Sequence, residues 1–152
     1  MKGVKATDYK REMIEKLRNY APRKASLDYT ATELKRLNAE MTRIQSATKD
    51  GTPVSGGTNH REDRLVNLIM AKMEIEAIRK ETEAWVLNLE RALSTLDDED
   101  YRILDVLYIH PVHHGVEKLC DELGCAEEST IYRRKNRLLR RLTLLFYGVI
   151  ER

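Results

Sequence analysis

Apolar side chains recur every three or four residues along most of this chain, and few residues interrupt that spacing. Such a period places apolar side chains on one face of an α-helix, whereas a half-buried strand needs them at every second position. The 152 residues include only three prolines and seven glycines, and four of these ten lie together between positions 51 and 57. The sequence therefore predicts an all-α fold.

Three helices are predicted in the amino-terminal part of the chain. The first spans about Thr7–Tyr20, and Pro22 is expected to stop it, because proline lacks a backbone N–H and its ring clashes with the preceding turn. The second spans Asp28–Thr48 and the third about Arg61–Ser94. We expect these two long helices to pair either as a hairpin within one chain or as a coiled coil between two chains. The second helix carries a narrow apolar seam of the coiled-coil type, formed by Leu27, Leu34, Leu37, Met41 and Ile44.

A cluster of glycine and proline separates the two long helices. The segment Lys49–Asn59 (KDGTPVSGGTN) cannot sustain a helix and predicts a linker at about residues 49–60. Residues 1–94 are accordingly interpreted as a helical oligomerisation or partner-binding region. Residues 95–152 are interpreted as a separate domain.

The carboxyl-terminal domain has local signals for shorter helices. Asp97 or Asp98 is a suitable N-cap, and Gly124 is the residue expected where a helix ends in a left-handed turn. The predicted helices are Glu99–Ile109, Val116–Leu123 and Ser129–Tyr147. The positions of the last helix that are expected to face inward are Ile131, Leu138, Leu142 and Leu145.

Positive charge is concentrated in the last predicted helix. The net charge of the whole chain is only +2, but six cations and no acid lie between Arg133 and Arg141. A run of charge is often only a solvated helix face, yet such faces usually alternate Glu with Lys or Arg at four-residue spacing. Because like charges this close destabilise a helix, a polyanionic partner is favoured.

A helix, a tight turn with glycine and a second helix make up a helix-turn-helix, whose second helix enters the major groove of double-stranded DNA. We expect the final helix to be this recognition helix. The side chains expected to reach base edges are Ser129, Thr130, Tyr132, Arg133 and Asn136. Those expected to contact phosphates are Arg134, Lys135, Arg137, Arg140 and Arg141.

The segments ALSTLDDEDYRILDVLYI, VEKLCDELG and STIYRRKNRLLRRL resemble region four of bacterial sigma-70 factors, the module that reads the −35 promoter element. With GTPVSGGTNHREDRLVNLI added, the pattern is similar to the sigma-like helix-turn-helix proteins of Firmicutes prophages, which are grouped with ArpU- and RinA-type late transcription regulators. The resemblance covers roughly residues 51–147. It implies a sequence-specific transcription regulator of phage or prophage origin. It also places Ser129, Thr130, Tyr132, Arg133 and Arg134 in the family's recognition segment.

Partners other than DNA are predicted less directly. A homodimer is expected, because two-fold pairing doubles the DNA contacts that one small DNA-binding domain can make. Whether RNA polymerase is contacted stays open at this stage. The alternative function is that of a helical protein-interaction adaptor, or an inhibitor of a host machine, acting through residues 27–94.

Several other classes of function are set aside. His110, His113, His114, Cys120 and Cys125 fit no common zinc spacing. No Walker loop, GxSxG or HExxH motif is present, so neither an enzyme nor a cofactor is predicted. No apolar stretch approaches the length needed to cross a membrane, and the two cysteines do not form a disulfide framework. The expected location is the cytoplasm of a bacterial host cell.

Overall fold

Helices account for nearly all of the chain that the structure describes. The computed structural model describes residues 7–49 and 58–150. Its α-helices are α1 (Tyr9–Lys49), α2 (Thr58–Leu93), α3 (Asp98–Leu104), α4 (Gly115–Leu123) and α5 (Glu128–Tyr147). No strand occurs among the described residues, so the prediction of an all-α protein is confirmed. The predicted linker falls mainly on residues 50–57, which lie outside this description.

The helix α1 continues through Pro22, so the predicted stop at this residue is wrong. Proline removes one hydrogen bond from the helix, but its ring is exposed and displaces no packed neighbour. Residues on both sides are held by burial: Leu17 and Tyr20 precede the proline, and Leu37 follows it. Tertiary packing therefore outweighs the local preference of one residue.

The described contacts group the chain into two compact units. One unit contains the chain up to Pro22 together with the chain from Val86 onward, and the other is Arg23–Trp85. The boundary predicted from the sequence lies between residues 94 and 95, whereas these units divide the chain after Pro22 and after Trp85. A separate domain of residues 95–152 stays a prediction. The first unit contains α5, the helix with the predicted DNA contacts.

Within Arg23–Trp85, side chains of α1 contact side chains of α2. The Arg23 guanidinium lies 4.1 Å from the centre of the Trp85 ring. Arg79 donates hydrogen bonds to the carbonyl oxygen of Leu27 and to the hydroxyl of Thr30. Arg64 pairs with Glu40 at 2.5 Å, and the hydrogen bond from Arg64 lowers the pKa of this carboxyl.

The other unit surrounds α5 with short helices. Asp97 caps α3 by accepting a hydrogen bond from the backbone N–H of Asp100 at 2.8 Å, as predicted for Asp97 or Asp98. A π-helical segment, Asp105–Ile109, continues α3, and its last bond runs from the His110 N–H to the Asp105 carbonyl. The fully buried apolar side chains of this unit are Met13, Leu17, Leu89, Ile103, Leu104, Val106, Leu119, Ile131, Leu139 and Leu142.

One inward position of α5 was predicted wrongly. Leu145 is 54% exposed, whereas Leu139 and Thr143 are buried. The first turns of α1 contact α5 on the side of the helix away from Leu145, so more of that side is covered. Two contacts mark this packing: Tyr9 with Tyr147, at 5.0 Å between ring centres, and Lys10 with Asn136.

None of the helices in residues 7–49 and 58–150 combines the length and the apolar character that a membrane span requires.

The passage of α1 through Pro22 leads to a stability prediction. Pro22→Ala restores the missing backbone donor and removes the ring from an exposed helix position, so the free energy of unfolding should rise by about 1 to 3 kcal/mol. Urea unfolding followed by circular dichroism measures the change. A neutral or destabilising effect would contradict a helix that continues through this residue.

Candidate nucleic-acid interface

A tight turn joins α4 to α5. Gly124 ends α4 in the left-handed region, with a φ of 69°, where glycine is favoured because it has no Cβ. At the start of α4, Gly115 is buried, and a Cβ there would lie 3.1 Å from Cγ1 of Val106. Glycine at this position thus allows α4 to lie close to the π-helical segment. The guanidinium of Arg102 in α3 donates two hydrogen bonds to the carboxylate of Glu122 in α4, at 2.9 and 3.0 Å.

The apolar face of α5 decides which of its polar side chains point to solvent. Ile131, Leu138 and Leu142 are buried, and they lie within about 40° of one another around the helix axis. The opposite side carries exposed residues three and four positions apart: Thr130, Arg133, Arg137, Arg140 and Leu144. We call Arg133, Arg137 and Arg140 the arginine ridge.

The arginine ridge has no acidic partner within 4 Å among residues 7–49 and 58–150. Arg133 donates a long hydrogen bond, 3.5 Å, to the hydroxyl of Ser129. From Ser129 to the end of α5 no acid occurs in the sequence. The ridge is therefore a solvent-facing row of cations whose mutual repulsion the protein itself does not relieve.

The residues predicted to reach base edges divide into two groups. Ser129, Thr130 and Arg133 are exposed at the start of α5, and Tyr132 is 46% exposed. Asn136 is half-buried, and its side-chain oxygen accepts a hydrogen bond from Nζ of Lys10 at 3.3 Å. The four exposed side chains remain accessible to a ligand, whereas Asn136 already contacts α1.

The residues predicted to contact phosphates also divide. Arg137, Arg140 and Arg141 are exposed, although Arg141 also donates a hydrogen bond to the carbonyl oxygen of Thr95 at 3.1 Å. Lys135 is half-buried, with its Nζ 5.1 Å from the centre of the Tyr132 ring. Burial, and then the nearby positive charge of Lys10, lower the pKa of Lys135.

Arg134 serves the protein's own structure. Its guanidinium donates to Asp100 at 2.9 Å and to Glu99 at 3.4 Å, and only 22% of its side chain is exposed. Burial acts to lower the pKa of Arg134, but the hydrogen bonds and charges of the two carboxylates outweigh it and raise the pKa. The pair joins the first turn of α3 to α5. Arg134 thus already has two acidic partners, and its predicted phosphate contact stays a prediction.

A shallow cavity of about 250 Å³ lies beside this ion pair. Its lining consists of Asp100, Arg134, Arg137, Leu138 and Arg141. Two of its three arginines, Arg137 and Arg141, are exposed and point cations toward solvent at the edge of α5.

The histidines and cysteines lie around α4. Nδ1 of His110 is 2.6 Å from Asp105, and the rings of His113 and His114 meet at 4.0 Å between centres. Cys120 and Cys125 are free thiols. In the part of the chain that the structure describes, no three His, Cys, Asp or Glu side chains are arranged to hold a metal ion.

Two features of this surface were missed in the sequence. Lys10 lies 126 residues from Asn136 along the chain, and no local pattern connects them. Asp98, Glu99 and Asp100 stand in the first turn of α3, where the helix dipole favours acids whether or not they have a cationic partner. The acid-free run in α5 therefore does not predict that Arg134 forms ion pairs with Glu99 and Asp100.

These helices and this cationic face define an all-α protein that carries a basic helix near its carboxyl end. Residues 43–143, about two-thirds of the chain, match a family model, and the chain belongs to that family, which is described as "Protein of unknown function (DUF1492)". No match was found among curated proteins or among solved structures.

Measuring stability can distinguish the structural contact of Arg134 from the exposed cations of α5. Arg134→Ala breaks the contacts with Asp100 and Glu99 and should lower the free energy of unfolding by about 1 kcal/mol, allowing for solvent screening of a partly exposed pair. Arg137→Ala, three residues along, is the matched control and should change it by less than about 0.5 kcal/mol. Urea unfolding measures both. Equal effects would contradict a structural role of Arg134.

Proposed function

We propose that this protein is a sequence-specific DNA-binding regulator of transcription, in which α4, the turn and α5 act as a helix-turn-helix and α5 enters the major groove. The observation that carries the proposal is the arginine ridge, which is exposed and has no acidic partner. A polyanion would relieve the repulsion of the ridge and release counterions on binding. No catalytic role is proposed.

The dimensions of α5 suit a groove. An α-helix with its side chains is about 10 to 12 Å across, and the major groove is about 12 Å wide. The helix is 20 residues long, and its exposed polar residues begin in its first turn. In helix-turn-helix proteins the first residues of the recognition helix read base edges. Ser129, Thr130 and Arg133 are therefore our candidates for base contacts, with Tyr132 beside them.

The other exposed cations are suited to the DNA backbone. Arg137, Arg140 and Arg141 lie one to three turns further along α5, where the helix leaves the groove and approaches phosphates. With Arg133 they make four exposed arginines per chain. If Arg133 contacts a base and the other three neutralise phosphates, the logarithm of the affinity should fall with the logarithm of salt concentration with a slope of about −3 per chain.

The surface of α2 supports a dimer. Val66, Ile69, Met70 and Met73 are between 40% and 63% exposed. Val66, Met70, Met73 and Ala77 follow one another in steps of four, three and four, and Ile69 flanks this row on α2. We call these five residues the α2 stripe. Soluble monomers rarely expose such a row, so we propose that a second copy of the chain covers it.

Charge favours an antiparallel arrangement of the two copies. A two-fold axis between Met70 and Met73 sets Val66 of each chain against Ala77 of the other. The same axis sets Lys80 opposite Asp63, a cation against an acid, on both sides of the pair. The alternative function, a helical protein-interaction adaptor, rests on the same stripe with a different protein as its occupant.

The resemblance to sigma region four and to ArpU- and RinA-type regulators supports a more specific setting. It suggests that the regulated genes belong to a phage or prophage in a bacterial host cell, and that the DNA site lies at a promoter. RNA polymerase is the further partner that such a position would bring within reach.

DNA recognition can be tested with a duplex selected by the wild-type chain from a random pool. Arg133→Ala should lower affinity for that duplex by about 1 to 3 kcal/mol, or roughly 5- to 150-fold, and relax its sequence preference. Arg140→Ala should weaken selected and random duplexes alike and reduce the salt slope by about 1. Fluorescence anisotropy at several salt concentrations measures both.

The control for lost charge is Lys35→Ala, which removes an exposed cation from α1. Its affinity should stay within about twofold of wild type, since Lys35 is not among the residues proposed to contact DNA and its exposed charge is screened by salt. A wild-type chain that binds no duplex at low salt would overturn the proposed function.

The dimer is tested by a charge in the α2 stripe. Met73→Glu should convert the dimer to a monomer, because pairing would bury a carboxylate without a partner. Asn67→Glu adds the same charge to α2 outside the stripe and should leave the dimer intact. Sedimentation velocity measures the mass of each. A wild-type monomer would instead favour another protein as the occupant of the stripe.

A further inference from the structure

Both cysteines of the chain lie where α4 ends and the turn to α5 begins. Cys120 lies in the last turn of α4, and Cys125 is the first residue after Gly124. Both are free thiols and both are half-buried. Neither takes part in the DNA contacts proposed above, so their placement calls for a separate explanation.

The left-handed conformation of Gly124 folds the chain back over the end of α4. The backbone N–H of Gly124 donates to the carbonyl oxygen of Cys120, and the N–H of Cys125 donates to the same oxygen at 3.0 Å. In helix ends closed by this second bond, the two residues that it joins commonly have side chains in contact. Here these two residues are both cysteines.

The hydrogen bond sets an upper limit on the distance between the two Cα atoms. A carbonyl oxygen lies roughly 2.4 Å from its own Cα, and a backbone nitrogen lies roughly 1.5 Å from its own. With the 3.0 Å bond between them, the Cα atoms of Cys120 and Cys125 are at most about 6.9 Å apart. Any bend in that path shortens the distance. Disulfides span Cα distances of about 4.4 to 6.8 Å, so the turn brings the pair into the range for a bond.

We propose that Cys120 and Cys125 form a dithiol modification site, which a peroxide converts to an intramolecular disulfide. In the first step a sulfur attacks one oxygen of hydrogen peroxide, which gives a sulfenic acid and water. In the second step the other sulfur attacks the sulfenic sulfur, the S–S bond forms, and the hydroxyl leaves as a second water. The two thiols lose two electrons and two protons, and the peroxide is reduced by the same two electrons.

The surroundings of Cys120 affect how readily it reacts. Burial foremost, and then the negative charges of Cys125, Glu128 and Asp121, raise the pKa of the Cys120 thiol. Since the thiolate is the nucleophile, the raised pKa slows attack by Cys120 at neutral pH, and this attack should become faster as the pH rises.

The disulfide would act on the start of α5, which is proposed to contact DNA bases. This part of the inference rests on the proposed function. A disulfide is about 2.05 Å long, far shorter than the distance between two sulfur atoms in van der Waals contact. Closing it pulls on the turn that leads into Ser129 and Thr130 at the start of α5. We therefore expect the oxidised protein to bind DNA more weakly than the reduced protein.

The modification is tested on the full reduced chain, treated with equimolar hydrogen peroxide and then with N-ethylmaleimide. Intact-mass spectrometry should show a monomeric chain that has lost about 2 Da and gained no maleimide. Cys120→Ser and Cys125→Ser should each prevent this product. A wild-type chain that keeps two alkylatable thiols, or gains oxygen without losing both thiols together, would overturn the site.

Two variants of Gly124 separate the folded turn from mere closeness in sequence. Gly124→Ala strains a residue held at positive φ, although its Cβ would meet no other atom within 4 Å, and should slow closure severalfold. Gly124→Asn tolerates the left-handed region better and should close at nearly the wild-type rate. Circular dichroism verifies the helix content of both. Equal closure rates in all three chains would show that the turn does not create the site.

The link to DNA binding has its own readout. Oxidised wild type should bind the selected duplex at least threefold more weakly than reduced wild type, and dithiothreitol should restore the affinity. Peroxide should leave the affinity of Cys125→Ser unchanged. A disulfide without any effect on affinity would overturn this link alone. A reduced chain that binds no DNA would overturn the proposed function, whereas the mass result would still decide the dithiol site.

Discussion

The burial of one leucine-rich side of α5 determines the rest of the candidate interface. Once Ile131, Leu138 and Leu142 face the core, the helical period leaves Arg133 and Arg137 on the opposite side, in solvent. Each buried leucine contributes about 1.5 to 3 kcal/mol of transfer free energy. Repulsion between neighbouring exposed cations costs only tenths of a kcal/mol per pair. The apolar face can therefore hold a row of like charges that an isolated helix would disfavour.

The two kinds of charge contact in this unit have different consequences. Arg134 contacts Asp100 and Glu99, and this contact joins α5 to the first turn of α3. The arginine ridge has no such partner among the described residues, so its charge stays available to a ligand. The same six-cation run thus contains a structural contact and an exposed row of cations. Net charge alone, at +2, would have indicated neither.

Local signals predicted the parts of the fold that depend on neighbouring residues. The cap at Asp97, the left-handed Gly124 and the bounds of α4 and α5 agree with the structure to within a residue. The contacts that were not predicted join distant residues, such as Lys10 with Asn136. The passage of α1 through Pro22 and the exposure of Leu145 were not predicted for the same reason. Both depend on which other helix packs there, and a short sequence window does not contain that information.

The unit that contains α5 is assembled from both ends of the chain. Met13 and Leu17, which are fully buried in it, are translated more than a hundred residues before Leu138 and Leu142. On the ribosome these early apolar side chains therefore remain exposed until the last helix has emerged. Closing a loop of that length also slows folding, because its entropy is lost before the contacts form. A nascent chain of this protein would thus be most prone to aggregation just before α5 emerges.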